Sequence, residues 1–147
     1  MRAVQQKWLV IVAMAFMLCL AGLVLSGTAF ADRCMDNGDG TVTDNGTGLM
    51  WQKATAGPMK WDTAMSYASG LSLRGHSGWG LPSRDELSGL FNSPCRNMMD
   101  DRKDYYWSST TYANDTLGAW HVYFYNGNVN VSHKSNSYYV CAVRAGQ

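Results

Sequence analysis

The chain has 147 residues, of which 46% are hydrophobic and 16% charged, and its formal net charge is +1. That length holds one domain and little more. Twelve basic side chains stand against eleven acidic ones with no Lys/Arg cluster. A surface built to neutralise phosphates is therefore missing, which argues against nucleic acid as a partner.

The first 31 residues read as an export signal. Arg2 and Lys7 form a short basic start, Trp8 to Leu25 is apolar throughout, and Ala29-Phe30-Ala31 supplies an A-x-A cleavage site. The apolar run is just long enough to span a bilayer, so an uncleaved membrane anchor is the competing reading. A lipoprotein reading is weaker, because Leu18 rather than a small residue precedes Cys19. Cleavage leaves residues 32–147 as one domain, with ten basic and eleven acidic side chains and a net charge of −1. It leaves Cys34, Cys95 and Cys141 as well. In an oxidising compartment, periplasmic, cell-surface or secreted, two of the three pair and one is left over. Cys34–Cys95 is placed first and Cys34–Cys141 is the alternative; the sequence does not choose between them.

Turn signals crowd the start of the domain. Asn37-Gly38-Asp39-Gly40 and Asn45-Gly46-Thr47-Gly48 flank Thr41 to Asp44, predicting two short strands, the second from Leu49 to Lys53. Trp61, Ala64, Met65, Ala68 and Leu71 then recur at helical spacing, and Gly70 and Gly75 end that helix. Ser83-Arg84-Asp85-Glu86 is a capping box opening a second helix to about Phe91, which buries Leu87, Leu90 and Phe91. Ser93 to Asp104 has no period and reads as a long loop. From Tyr105 the pattern turns to strands. Tyr106 to Thr110 is one and Ala119 to Tyr125 alternates. Asn126-Gly127 makes a turn, Asn128 to Ser132 alternates again, and Tyr138 to Arg144 closes the chain. The sum is a single α+β domain: hairpin, two helices, then a meander.

Little of this carries catalytic or metal chemistry. Setting Gly40 at the sixth position of a calcium loop puts Met35 at the first and Gly46 at the twelfth, where acidic ligands belong, so Asp36 to Asp44 reads as turns. His76, His121 and His133 have no metal-like spacing to a cysteine or carboxylate. No cysteine sits in a catalytic motif, and Ser108-Ser109 lacks a Gly-x-Ser-x-Gly context. The expectation is a protein that is no enzyme and needs no cofactor. Trp51, Trp61, Trp79, Trp107, Trp120 and Phe124 read as core.

The residues that stand out form a row along the last strands: His121, Tyr123, Tyr125, Asn126, Asn128, Asn130, Ser132, His133, Ser135, Asn136, Ser137 and Tyr138. Binding surfaces use this palette, since Tyr gives rigid amphipathic area and Asn and Ser give adaptable hydrogen bonds. A solvated sheet face is polar too, but Lys and Glu normally dominate it. Here Lys134 is the only charge between Trp120 and Tyr139. The row is therefore the candidate ligand-binding face.

The same residues resemble a known family. Asp36-Asn37-Gly38-Asp39-Gly40-Thr41-Val42-Thr43-Asp44-Asn45 followed by Thr47-Gly48-Leu49-Met50-Trp51-Gln52-Lys53 is similar to the opening of the C-terminal domain of the Legionella collagen-like adhesins. Leu81-Pro82-Ser83 with Glu86-Leu87, then Tyr105 to Thr110, then Val143-Arg144 are its later landmarks, in the family's order. The resemblance implies a C-type-lectin-like fold, two helices on a twisted antiparallel sheet with the chain ends close. It implies that the named adhesins bind polysaccharides at the cell surface; with the export signal and the polar row, the expectation is an exported module that recognises a polysaccharide or a surface protein. Domains of this fold also serve as variable receptors whose final strands a retroelement diversifies, and mutated Asn codons yield mainly Asn, Tyr, Ser, His and Asp. A structural subunit of an envelope assembly is the remaining alternative. The chain departs from the family at Gly80, between Trp79 and Leu81, and at Ala68 and Ala142, where a familiar form has a cysteine pair. No collagen-like stalk is present in the sequence.

Overall fold

The structure, a computed structural model, describes residues 33–100 and 104–146. The expected export signal and Cys19 lie outside the described residues. Among those described, no helix is long and apolar enough to cross a membrane.

Nine strands form two sheets. The smaller has the order β1 (Cys34–Asp36), β2 (Thr41–Asp44), β3 (Leu49–Gln52), β9 (Val143–Ala145) and is antiparallel throughout. The turn reading of Asp36 to Asp44 is borne out. Asp36 Oδ1 accepts from the Gly38 amide, Asp39 Oδ1 from both the amide and the hydroxyl of Thr41, and Asp44 Oδ1 from the Gly46 amide. A hydrogen bond from Lys53, then one from the Gly38 amide, holds the Asp36 carboxyl below the usual carboxylate range. Asp39 is lowered chiefly by the Thr41 hydroxyl.

The larger sheet has the order β4 (Ala56–Lys60), β8 (Ser137–Val140), β5 (Tyr105–Thr111), β6 (Gly118–Tyr123), β7 (Asn128–His133). Its pairs are antiparallel except β5 with β8, which meet in parallel at Tyr106 and Tyr139. Helix α1 (Trp61–Gly70) follows β4, with Ala64 and Ala68 buried as its stripe predicts. Lys60 offers its first turn no side-chain cap; instead the Trp61 amide donates to the Lys134 carbonyl. Helix α2 (Arg84–Asn92) opens on the predicted capping box, in which Ser83 Oγ accepts from the Glu86 amide while Glu86 accepts from the Ser83 amide.

Two apolar clusters fill the domain. One gathers Trp51, Leu87, Leu90, Tyr106, Val122 and Phe124 around the Cys34–Cys95 disulfide. The other packs Ala64 and Ala68 of α1 with Trp79, Trp107 and Val140. Of the aromatic side chains assigned to the core, Trp51, Trp79, Trp107 and Phe124 are buried, while Trp61 and Trp120 are half-buried.

Two readings need correction. Ser93 to Asp104 is not featureless: a 3-10 helix, Pro94–Met98, carries Cys95 into the core, and Ser93 Oγ accepts from the Cys95 amide. Tyr138 to Arg144 is not one strand. The chain leaves the larger sheet at Val140 and enters the smaller one at Val143. Between them the Gln52 amide donates to the Ala142 carbonyl, and the Ala142 amide donates to Gln52 Oε1. The architecture is α+β, as expected, and it is compatible with the C-type-lectin-like arrangement.

Candidate functional site

Alternation along β5, β6 and β7, combined with their register, decides which residues share a face. Tyr105 pairs with Tyr123, which pairs with Asn128; Trp107 pairs with His121, which pairs with Asn130; Ala119 pairs with Ser132. All of these point to one side of the sheet. Val122 and Phe124 have the opposite parity and belong to the cluster around the disulfide.

Rings dominate the shared face. Tyr105 and Tyr123 stack at 4.2 Å between centroids and 15° between planes, the close approach that a directly opposed cross-strand pair permits. Tyr138 stacks on Tyr105 at 5.2 Å, and Tyr125 follows Tyr123 at 5.9 Å. Tyr125 is 69% exposed. Asn128 and Asn130 stand exposed beside these rings on β7. The result is a shallow plate of tyrosine rings edged by carboxamides.

His121 takes a different place from the one its strand parity suggests. It shares the face but is only 3% exposed, because the rings of Tyr105, Trp107 and Tyr138 close around it at 5.4, 6.1 and 4.9 Å. Its Nδ1 has no hydrogen-bond partner among the described residues. Burial holds its pKa below the ordinary histidine value, since desolvation penalises the imidazolium. Tyr138 is half-buried, and its hydroxyl exchanges a 2.9 Å hydrogen bond with Ser132 Oγ. His121, Ser132 and Tyr138 thus form the floor and margin of the plate, and its exposed part is Tyr105, Tyr125, Asn128 and Asn130, with Tyr123 half-buried among them.

The remaining row residues are elsewhere. Asn126 Oδ1 accepts from the Asn128 amide and shapes the turn. Next to it Gly127 has φ +80°, and a Cβ there would meet the Phe91 ring at 2.4 Å, so both conformation and space require glycine. His133 has the parity of Val129 and Val131, opposite to Asn130, and bonds the Ser135 hydroxyl at 2.7 Å. Together with Ser135 it lines an open groove of about 430 Å³ beside Lys60, Asp62 and Thr63. Asn136 is an exposed turn residue whose amide donates to the His133 carbonyl.

Tyr105 belongs to the plate, although it lies outside the polar row of the last strands. Its parity with Trp107 was visible, but nothing in the sequence shows that β5 lies between β8 and β6.

The cysteines settle as the first pairing. Cys34 and Cys95 are bonded across 61 positions, and Cys141 is free and buried. The Cys141 thiol donates to the Gln52 carbonyl at 3.3 Å, and burial raises its pKa strongly, away from thiolate chemistry.

Comparison with curated proteins finds no match. The family described as the Lcl C-terminal domain matches residues 40–144, from the first turn of the β1–β2 hairpin to the middle of β9. That span takes in both helices, the disulfide's second cysteine and the whole tyrosine plate, and the chain belongs to the Lcl C-terminal domain family.

Proposed function

We propose that this adhesin-like domain is a binding module for a polysaccharide or surface protein outside the cytoplasm, and that it engages its ligand through the tyrosine plate rather than by turnover. The observation that carries the reading is the exposed Tyr125 continuing the Tyr105–Tyr123 stack, beside the carboxamides of Asn128 and Asn130. Stacked tyrosines lose little conformational freedom on contact, and their rings offer flat apolar area with a polar tip. Carboxamides supply both donors and acceptors and so suit hydroxyl-rich or peptide ligands. The Cys34–Cys95 disulfide fits an oxidising, extracytoplasmic setting.

The test is an array of polysaccharides and surface proteins probed with wild-type protein and with Tyr123→Ala plus Tyr125→Ala. A saturable hit that the double variant loses by tenfold or more, with Tyr125→Ala alone keeping the wild-type melting temperature, supports the reading. A hit of undiminished affinity in the double variant moves recognition off this face.

A further inference from the structure

Each sheet ends in two edge strands, and three of the four are protected. Strands β1 and β9 have three residues each. Strand β4 carries Pro58 and an irregular register between Ala56 and Met59. Short length, proline and irregularity all discourage pairing with another chain. Strand β7 has none of these. It runs six residues, Asn-Val-Asn-Val-Ser-His, and pairs with β6 through six consecutive partners without a bulge. It contains no proline, no glycine and no Lys, Arg, Asp or Glu. Among the described residues, no other element hydrogen-bonds its outer edge. Val129 is 36% exposed there.

We propose that the outer edge of β7 pairs antiparallel with β7 of a second copy of this chain, about a two-fold axis through Asn130. The strand's own sequence selects this occupant, because Asn128 to Ser132 reads as polar, Val, polar, Val, polar in both directions. With Asn130 on the axis, Val129 meets Val131 of the second copy, Asn128 meets Ser132, and Asn130 meets Asn130. This register sets apolar side chains opposite apolar ones and polar opposite polar, and opposes no like charges. An isologous contact of this kind closes at two copies. The axis stands normal to the sheet, so both tyrosine plates point the same way and the five-stranded sheet becomes a continuous ten-stranded one. The inference concerns assembly and stands whether or not the plate binds a ligand.

The full chain, purified as the producing cell processes it, is examined by sedimentation over a range of concentrations. The expected result is a rise from one-chain to two-chain mass. Asn130→Lys and Asn130→Asp place like charges face to face on the axis, and each is expected to stay monomeric where wild type is dimeric, with the melting temperature that wild type shows at dilutions where it too is monomeric. Their equimolar mixture, which puts Lys opposite Asp, is expected to recover the two-chain mass. Asn130→Cys is expected to give a covalent dimer on a non-reducing gel, while Tyr125→Cys does not. Wild type that stays monomeric at millimolar concentration, two-chain mass persisting in both charge variants, a mixture that stays monomeric, or no covalent dimer with Asn130→Cys would each overturn the proposal.

Discussion

At the residue scale, His121 is the unusual group. An imidazole closed in by Tyr105, Trp107 and Tyr138, with Nδ1 unpartnered among the described residues, is held neutral by its surroundings. Its folded-state pKa lies below the unfolded value of about 6.5. Between the two values the unfolded chain binds a proton that the folded protein does not. Its contribution to stability is therefore complete above about pH 6.5 and is lost as pH falls through the folded pKa. The slope from this one site reaches at most about 1.4 kcal/mol per pH unit. Urea unfolding at pH 7.5, 6.5, 5.5 and 5.0, run on wild type and on His121→Phe, isolates it. The variant is expected to lose less stability than wild type over the acid half of that range. Equal losses would show that His121 titrates the same way folded and unfolded.

At the scale of elements, α2 is where local sequence and local structure agree most closely. The Ser83–Glu86 capping box, Asp85 in the first turn and the Leu87/Leu90 stripe all specify the same helix. Ser83→Ala is expected to cost about 1 kcal/mol in thermal unfolding, because the Glu86 amide loses its acceptor. A change of a few tenths would mean that water replaces the hydroxyl there. The elements that resisted reading failed for identifiable reasons. The 3-10 helix Pro94–Met98 is too short to show a period; its local start signals are the Ser93 cap and Pro94 in the first turn, and the Cys34–Cys95 bond ties it to the core. The run Tyr138 to Val143 is too continuously apolar for alternation to mark where the chain changes sheets.

At the scale of the whole molecule, the Cys34–Cys95 bond joins the first strand to the 3-10 helix across 61 positions and lies inside the core cluster that supports β6. Closing a loop of that length restricts the unfolded chain, and removing such a bond costs about 2–4 kcal/mol. Cys34→Ala with Cys95→Ala is expected to lower the urea midpoint accordingly. Cys141→Ala is expected to change it by less, since it removes one buried sulfur and no crosslink. The reverse order of effects would place the stabilising bond elsewhere.

The sequence by itself determined the fold class, the β2–β3 hairpin, both helices with Ala64, Ala68, Leu87 and Leu90 buried (Phe91, expected to be buried with them, is half-buried), the alternation of β6 and β7 and the family landmarks. These rest on interactions between residues near one another in the chain, where spacing alone carries the information. Tertiary structure decided the cysteine pairing, the split of the closing segment between two sheets, and the make-up of the plate. Tyr105 joined it and His121 sank beneath it, although the parity of both was readable. Strand order brings Tyr105, Trp107 and Tyr138 around His121, and strand order depends on contacts between distant segments that no local pattern encodes.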